Sequence, residues 1–125
     1  MCKFPSFQDV LALHKVAIEE FGGLEGVRDQ GLIHSAIQSP FQTFDGEELF
    51  PTVEEKIARL AYGLICNHGF VDGNKRVACL SLVVFLELNN INFDPVLKEL
   101  EKTFMGLAEG HVSYNDFLDW VLKNL

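Results

Sequence analysis

The sequence predicts an all-α domain: about six helices around one buried central helix, with a single small β-hairpin as the exception. Three observations carry this. Apolar residues recur at three- and four-residue spacing between well-marked helix ends. One run, residues 77–88, is apolar on nearly every side, the pattern of a helix enclosed by others. Asp45-Gly46 lies midway between Pro40 and Pro51, where a tight turn between two short extended segments fits. At 125 residues, 48% of them hydrophobic, the chain suits one domain, residues 1–125, with a sizeable core.

The elements follow in order. Ser6 and Asp9 resemble a capping box with Asp in the place of Glu. Behind them Phe7, Val10, Leu11, His14, Ala17, Ile18 and Phe21 form one helical stripe, and Gly22-Gly23 stops it. His14 on that stripe reads as a satisfied core histidine. A second helix spans residues 29–38, with Leu32, Ile33, Ala36 and Ile37 inward, and ends before Pro40. The hairpin, a flap, fills residues 40–51. Thr52 and Glu55 make a full capping box for the third helix, whose stripe is Val53, Ile57, Leu60, Ala61, Leu64 and Ile65. The central helix runs from about Asn74 to Asn89-Asn90. Asp94-Pro95 starts a fifth helix, with Pro at its first position and Gly110 past its end. Ser113 and Asp116 cap the last, in which Trp120 is core or rim.

The net charge of −8 argues against general binding to nucleic acid or to an anionic membrane, which needs a basic face. The longest apolar run is too short to cross a bilayer, and the first residues lack the apolar region of a secretory signal. A cytoplasmic location is expected. Three cysteines form no even set and no CxxC pair, so reduced thiols are expected, with Cys66 and Cys79 as small buried residues.

In so acidic a chain the polar cluster of residues 67–76 stands out. Gly73 can turn the backbone into a helix start at Asn74, where free N–H groups converge and favour an anion. Lys75 and Arg76 add charge to that turn, and arginine can grip phosphate with two hydrogen bonds. His68 beside such a site is a candidate general base for a hydroxyl nucleophile. Asp72 is a candidate Mg²⁺ ligand, since that ion commonly takes one or two carboxylates plus substrate phosphates. Phe70 reads as the anchor that inserts into the core. These parts suggest transfer from a magnesium nucleotide, ATP, to an alcohol. On spacing alone the same residues also describe a solvated loop at a helix N-terminus. A zinc hydrolase would need a third ligand, from His14, His34 or His111, at a spacing the sequence does not show.

The stretch His68-x-Phe70-x-Asp72-Gly73-Asn74-Lys75-Arg76 resembles the signature of the Fic/Doc superfamily, His-x-Phe-x-(Asp/Glu)-Gly-Asn-(Gly/Lys)-Arg. Lysine at its eighth position is similar to the death-on-curing (Doc) branch. Leu13-His14, Phe21-Gly22-Gly23-Leu24-x-Gly26 and Asp29-x-Gly31 resemble that branch's N-terminal region, so the likeness covers nearly the whole chain. It implies the Fic/Doc fold, with the signature loop joining two central helices. By this resemblance His68 deprotonates a target Ser or Thr, and Asp72 holds Mg²⁺. Gly73, Asn74 and Lys75 form the anion loop, and Arg76 binds phosphate. The flap, with Gln42, Thr43, Phe44, Asp45, Gly46 and Glu47, aligns the target as an added strand.

Fic AMP-transferases usually carry glycine where Lys75 stands and a second arginine where Cys79 stands. The Doc branch shares both departures and is associated with protein phosphorylation, with translation elongation factor EF-Tu as target, in a toxin–antitoxin pair. The inhibitory helix pattern common in Fic proteins, (Ser/Thr)-x-x-x-Glu-(Gly/Asn), has no match; Thr43 and Glu47 come nearest, but Glu48 follows. Inhibition by a separate antitoxin is therefore implied. The expectation is a Doc-like kinase. Its rivals are an AMP-transferase of the same fold and a non-catalytic protein-binding module.

Overall fold

A computed structural model describes residues 2–125; the first residue of the expected domain lies outside it. Among the described residues are six α-helices, one 3-10 turn and one hairpin: α1 (Phe7–Phe21), α2 (Gln30–Gln38), the 3-10 turn Ser39–Phe41, β1 (Thr43–Phe44), β2 (Glu47–Glu48), α3 (Val53–Asn67), α4 (Asn74–Leu88), α5 (Leu97–Ala108) and α6 (Tyr114–Lys123). This is the all-α Fic/Doc architecture that the sequence led us to expect.

Two helices share the centre. α3 packs on α2, α4, α5 and α6, while α4 packs on α1, α3 and α5. Their facing stripes, Ile57, Leu60, Ala61 and Leu64 on one and Val77, Ala78, Leu82 and Leu86 on the other, are almost fully buried. α4 is thus enclosed along most of its length, with Glu87 and Leu88 exposed at its end. α3 is as deep as α4, being packed against four helices, and of its residues only Cys66 is exposed.

The caps decide where helices begin. Ser6 and Asp9 make the complete, reciprocal capping box. At α3 only half of the expected box forms: Thr52 accepts from the Glu55 N–H, but its hydroxyl donates to the Glu55 carboxylate, so that carboxylate serves the side chain rather than the backbone. α5 begins at Leu97 rather than at Pro95. The Asp94 N–H donates to the Asn124 carbonyl at 2.9 Å, tying the segment before α5 to the end of α6, and Val96 at the cap position is still extended. The flap is shorter than expected, since Ser39, Pro40 and Phe41 wind into the 3-10 turn. Its strands pair antiparallel, Thr43 with Glu48 and Phe44 with Glu47, around Asp45-Gly46. Lys56 fastens the hairpin to α3 through the Glu48 carboxylate, 3.0 Å away, and the Phe50 carbonyl.

Three side chains sit elsewhere than expected. Phe21, the last residue of the α1 stripe, is 61% exposed, at the very end of the helix. Cys66 is exposed rather than buried, and Cys79 is half-buried where full burial was expected. Among the described residues no helix is long and apolar enough to cross a membrane.

Candidate active site

The site is built where α3 hands over to α4. His68 caps α3 in the left-handed conformation (φ 54°, ψ 48°), which costs a non-glycine residue about 1 kcal/mol. Arg28, from the loop between α1 and α2, holds it there. Its Nε donates to the His68 carbonyl at 2.7 Å and its Nη2 to the Asn67 carbonyl at 3.2 Å. A cation thus satisfies the open carbonyls of a helix C-terminus. Asn67 adds a hydrogen bond from its side-chain amide to the Leu32 carbonyl.

The same α1–α2 loop then pairs with the signature loop. The N–H groups of Arg28 and Asp29 both donate to the Gly69 carbonyl, Val71 N–H donates to Gly26, and Val27 and Phe70 form an antiparallel bridge. Gly69 allows this approach: a Cβ there would stand 2.5 Å from an Ile33 methylene carbon. Phe70 is fully buried, its ring stacked on His14 with centroids 3.9 Å apart. His14 Nε2 lies 2.7 Å from the Asp72 carbonyl and donates to it, so the ring is protonated at Nε2. The core histidine read from the stripe therefore supports the site from below.

Asn74 locks the loop. Its buried side chain accepts from the Phe70 N–H and donates to the Phe70 carbonyl, each at 3.0 Å. Both ends of the amide are used, so what Asn74 can offer an anion is its backbone N–H. Gly73 supplies the turn at φ 77°, and α4 starts without any side-chain cap. Its first N–H groups remain open.

Asp72 is exposed, and its carboxylate is oriented by two backbone donors, Leu24 N–H at 3.0 Å and Gly73 N–H at 2.8 Å. The Leu24 and then the Gly73 hydrogen bond, with smaller help from His14 and Arg76, hold this carboxyl below the usual carboxylate range. A lowered folded-state pKa means a contribution to stability that is present above the unfolded value, about 3.9. It fades as the pH falls through the folded value. Asp72→Asn should therefore melt below the wild type at neutral pH, with the gap closing as the pH drops below about 4. Thermal unfolding across that range checks this; a gap independent of pH would refute it.

His68, Asp72, Gly73, Asn74, Lys75 and Arg76 all line one cavity of about 320 Å³. Ile65, Val71 and Ala108 complete its wall, which leaves Asp72 as its single carboxylate. The Arg76 guanidinium lies over the Phe21 ring, 4.3 Å from its centroid. One hard carboxylate beside an open helix N-terminus suits Mg²⁺ whose other ligands are phosphate and water. Among the described residues no three His, Cys, Asp or Glu side chains are grouped as a zinc site would require.

The flap stands apart from this cavity. None of Gln42, Thr43, Phe44, Asp45, Gly46 and Glu47 lines it, and Gln42 lines a separate cleft with His34 and Gln38. Both strands are fully exposed. Sequence reasoning missed Arg28 and Gly23. A Cβ on Gly23 would come within 2.7 Å of Asp72 Oδ2. The only signal was a lone arginine in a glycine-rich segment.

Comparison with known proteins agrees with this architecture. The model of the Fic/DOC family matches residues 4–86. A protein named Toxin Doc from Mycolicibacterium smegmatis is 37% identical over 91 residues, which is 73% of this chain and 68% of that protein. Protein kinase doc of Escherichia phage P1 is 31% identical over 116 residues, covering 90% of this chain and 87% of that one. With the family model matching residues 4–86 and a relative 37% identical over 73% of it, the chain belongs to the Fic/DOC family.

Proposed function

We propose that this chain is a Doc-like toxin that transfers the γ-phosphate of ATP to a Ser or Thr hydroxyl of a cytosolic protein. The observation that carries the reading is the convergence of His68, Asp72 and the uncapped α4 N-terminus with Lys75 and Arg76 on one cavity. The His68 ring takes the proton as the hydroxyl oxygen bonds to the γ-phosphorus. The bond from that phosphorus to the β–γ bridging oxygen breaks, and ADP leaves. Lys75, Arg76 and the open amides stabilise the charge spread over the phosphoryl oxygens. Asp72 would hold Mg²⁺, which when bound neutralises phosphate charge.

The names of the two relatives, one a toxin and one a protein kinase, support this choice. So does Lys75, which stands where AMP-transferases of the superfamily have glycine. The family resemblance suggests EF-Tu as target and a separate antitoxin as inhibitor. The exposed hairpin supports docking of the target segment by strand addition.

Purified protein with Mg²⁺, EF-Tu and a bacterial lysate should carry label to protein from γ-labelled ATP and none from α-labelled ATP. Transfer from the α position would overturn the kinase reading in favour of AMP transfer. No transfer of either label by antitoxin-free protein would favour a binding module.

A further inference from the structure

We propose that Lys56 is a positioning residue for the protein substrate, holding the flap ready for docking on the helix that also presents His68. The inference rests on the reading above, in which the target segment adds to the hairpin as a strand. A lone two-stranded hairpin is marginal in water, and both strands here are fully exposed. They need an anchor if they are to receive a partner in one fixed geometry. Among the described residues, the hydrogen bond from Lys56 to Glu48 is the only one that joins either strand to a helix.

The surroundings of Lys56 point to this task. The residue is 7% exposed, and an ammonium group is costly to bury unless it is paired. Its Nζ donates to Glu48 Oε1 at 3.0 Å and to the Phe50 carbonyl, and stands 5.6 Å from the centroid of the Phe41 ring. All three partners belong to the hairpin or its feet. An apolar side chain would fill the same space, but only the cation grips the hairpin. Arg59, one turn further along α3, holds the feet without reaching the strands. Its Nε donates to Ser39 Oγ at 2.8 Å, and its guanidinium lies 5.4 Å from the centroid of the Phe50 ring. Loss of Lys56 therefore frees the strands while their feet stay fixed. The freed hairpin carries Asp45, Glu47 and Glu48, whose like charges then repel with no ammonium between them and the helix.

Helix α3 connects docking to chemistry. Lys56 lies in its N-terminal half, and His68 is its C-terminal cap. Because both ride on one continuous helix, the flap and the base keep a fixed relation. A target strand can then bind without first ordering the hairpin. Preorganisation of this kind strengthens binding and leaves the chemical step alone, so its loss appears in KM rather than in kcat.

The test uses the full chain with Mg²⁺, ATP and EF-Tu as acceptor. Lys56→Met keeps the length of the side chain and removes its charge. It should raise the KM for EF-Tu about tenfold or more, while kcat and the calorimetric affinity for ATP change less than about twofold. Amide hydrogen exchange without substrate should quicken at residues 43–49 and stay as in the wild type at residues 69–76. Glu48→Ala, at a half-exposed side chain, should reproduce both effects and decides the matter if Lys56→Met fails to fold. An unchanged KM, a matching loss of ATP affinity, a fall in kcat at constant KM, or unaltered exchange in the flap would each overturn the inference. Phe44→Pro, which disrupts the strand itself, separates the inference from its premise. If it raises KM and Lys56→Met does not, strand docking stands and the anchor falls; if neither raises it, both fall. Wild-type protein that transfers nothing to EF-Tu would overturn the inference together with the reading it rests on.

Discussion

Replacing His68 by alanine is expected to lower phosphate transfer by roughly 10²- to 10⁴-fold, the range for loss of a positioned general base. The side chain is exposed and packs on nothing in the core, so the fold should survive. The backbone needs separate attention because position 68 is left-handed. Alanine tolerates that conformation less well than histidine, whereas glycine adopts it freely. His68→Gly should accordingly be as inactive as His68→Ala yet melt at a higher temperature. The pair separates chemistry from strain. Transfer rates from γ-labelled ATP alongside thermal unfolding would show it, and a His68→Ala protein with more than a tenth of the wild-type rate would remove His68 from the role of base.

Asn74→Ala should unfold the loop rather than merely empty it. The substitution leaves the Phe70 N–H and carbonyl unpaired in a buried setting, at about 1–3 kcal/mol for each group. A total of about 2–6 kcal/mol is a large fraction of the stability of a domain this size. The loss should appear in urea unfolding without nucleotide. Were Asn74 only a phosphate contact, the ligand-free protein would be as stable as the wild type and only ATP binding would fall.

Much of this architecture was legible because it is written in short-range signals. Helix stripes, the Ser6, Thr52 and Ser113 caps and the Asp45-Gly46 turn each involve residues within four positions of one another. Errors arose where a distant partner competed. Pro95 looked like a helix start, but the segment is tied by the Asp94 N–H to the Asn124 carbonyl and the helix begins only at Leu97. Phe21 fitted the apolar period of α1, yet its partner proved to be the Arg76 guanidinium. Cys66 had apolar neighbours in sequence, yet its position on α3 is exposed. The candidate site divides in the same way. Its signature residues are contiguous and were read from the chain, together with the role of His14 as a core histidine. The groups that set their geometry, Arg28 and the Leu24 amide, are some 40 to 48 residues away, and no local pattern announces them.

That separation has a kinetic side. The helices can form within their own sequence windows, but the bridge of Val27 to Phe70 closes only once a long loop containing α2, the flap and α3 has been drawn together. Loop closure of that span is slow relative to helix formation. Newly made chains should therefore pass through a stage that is helical by circular dichroism and yet inert, with His68 not yet turned towards its substrate. A stopped-flow refolding experiment would see activity lag behind ellipticity. On the proposed function, the lag is a window in which an antitoxin can arrive first.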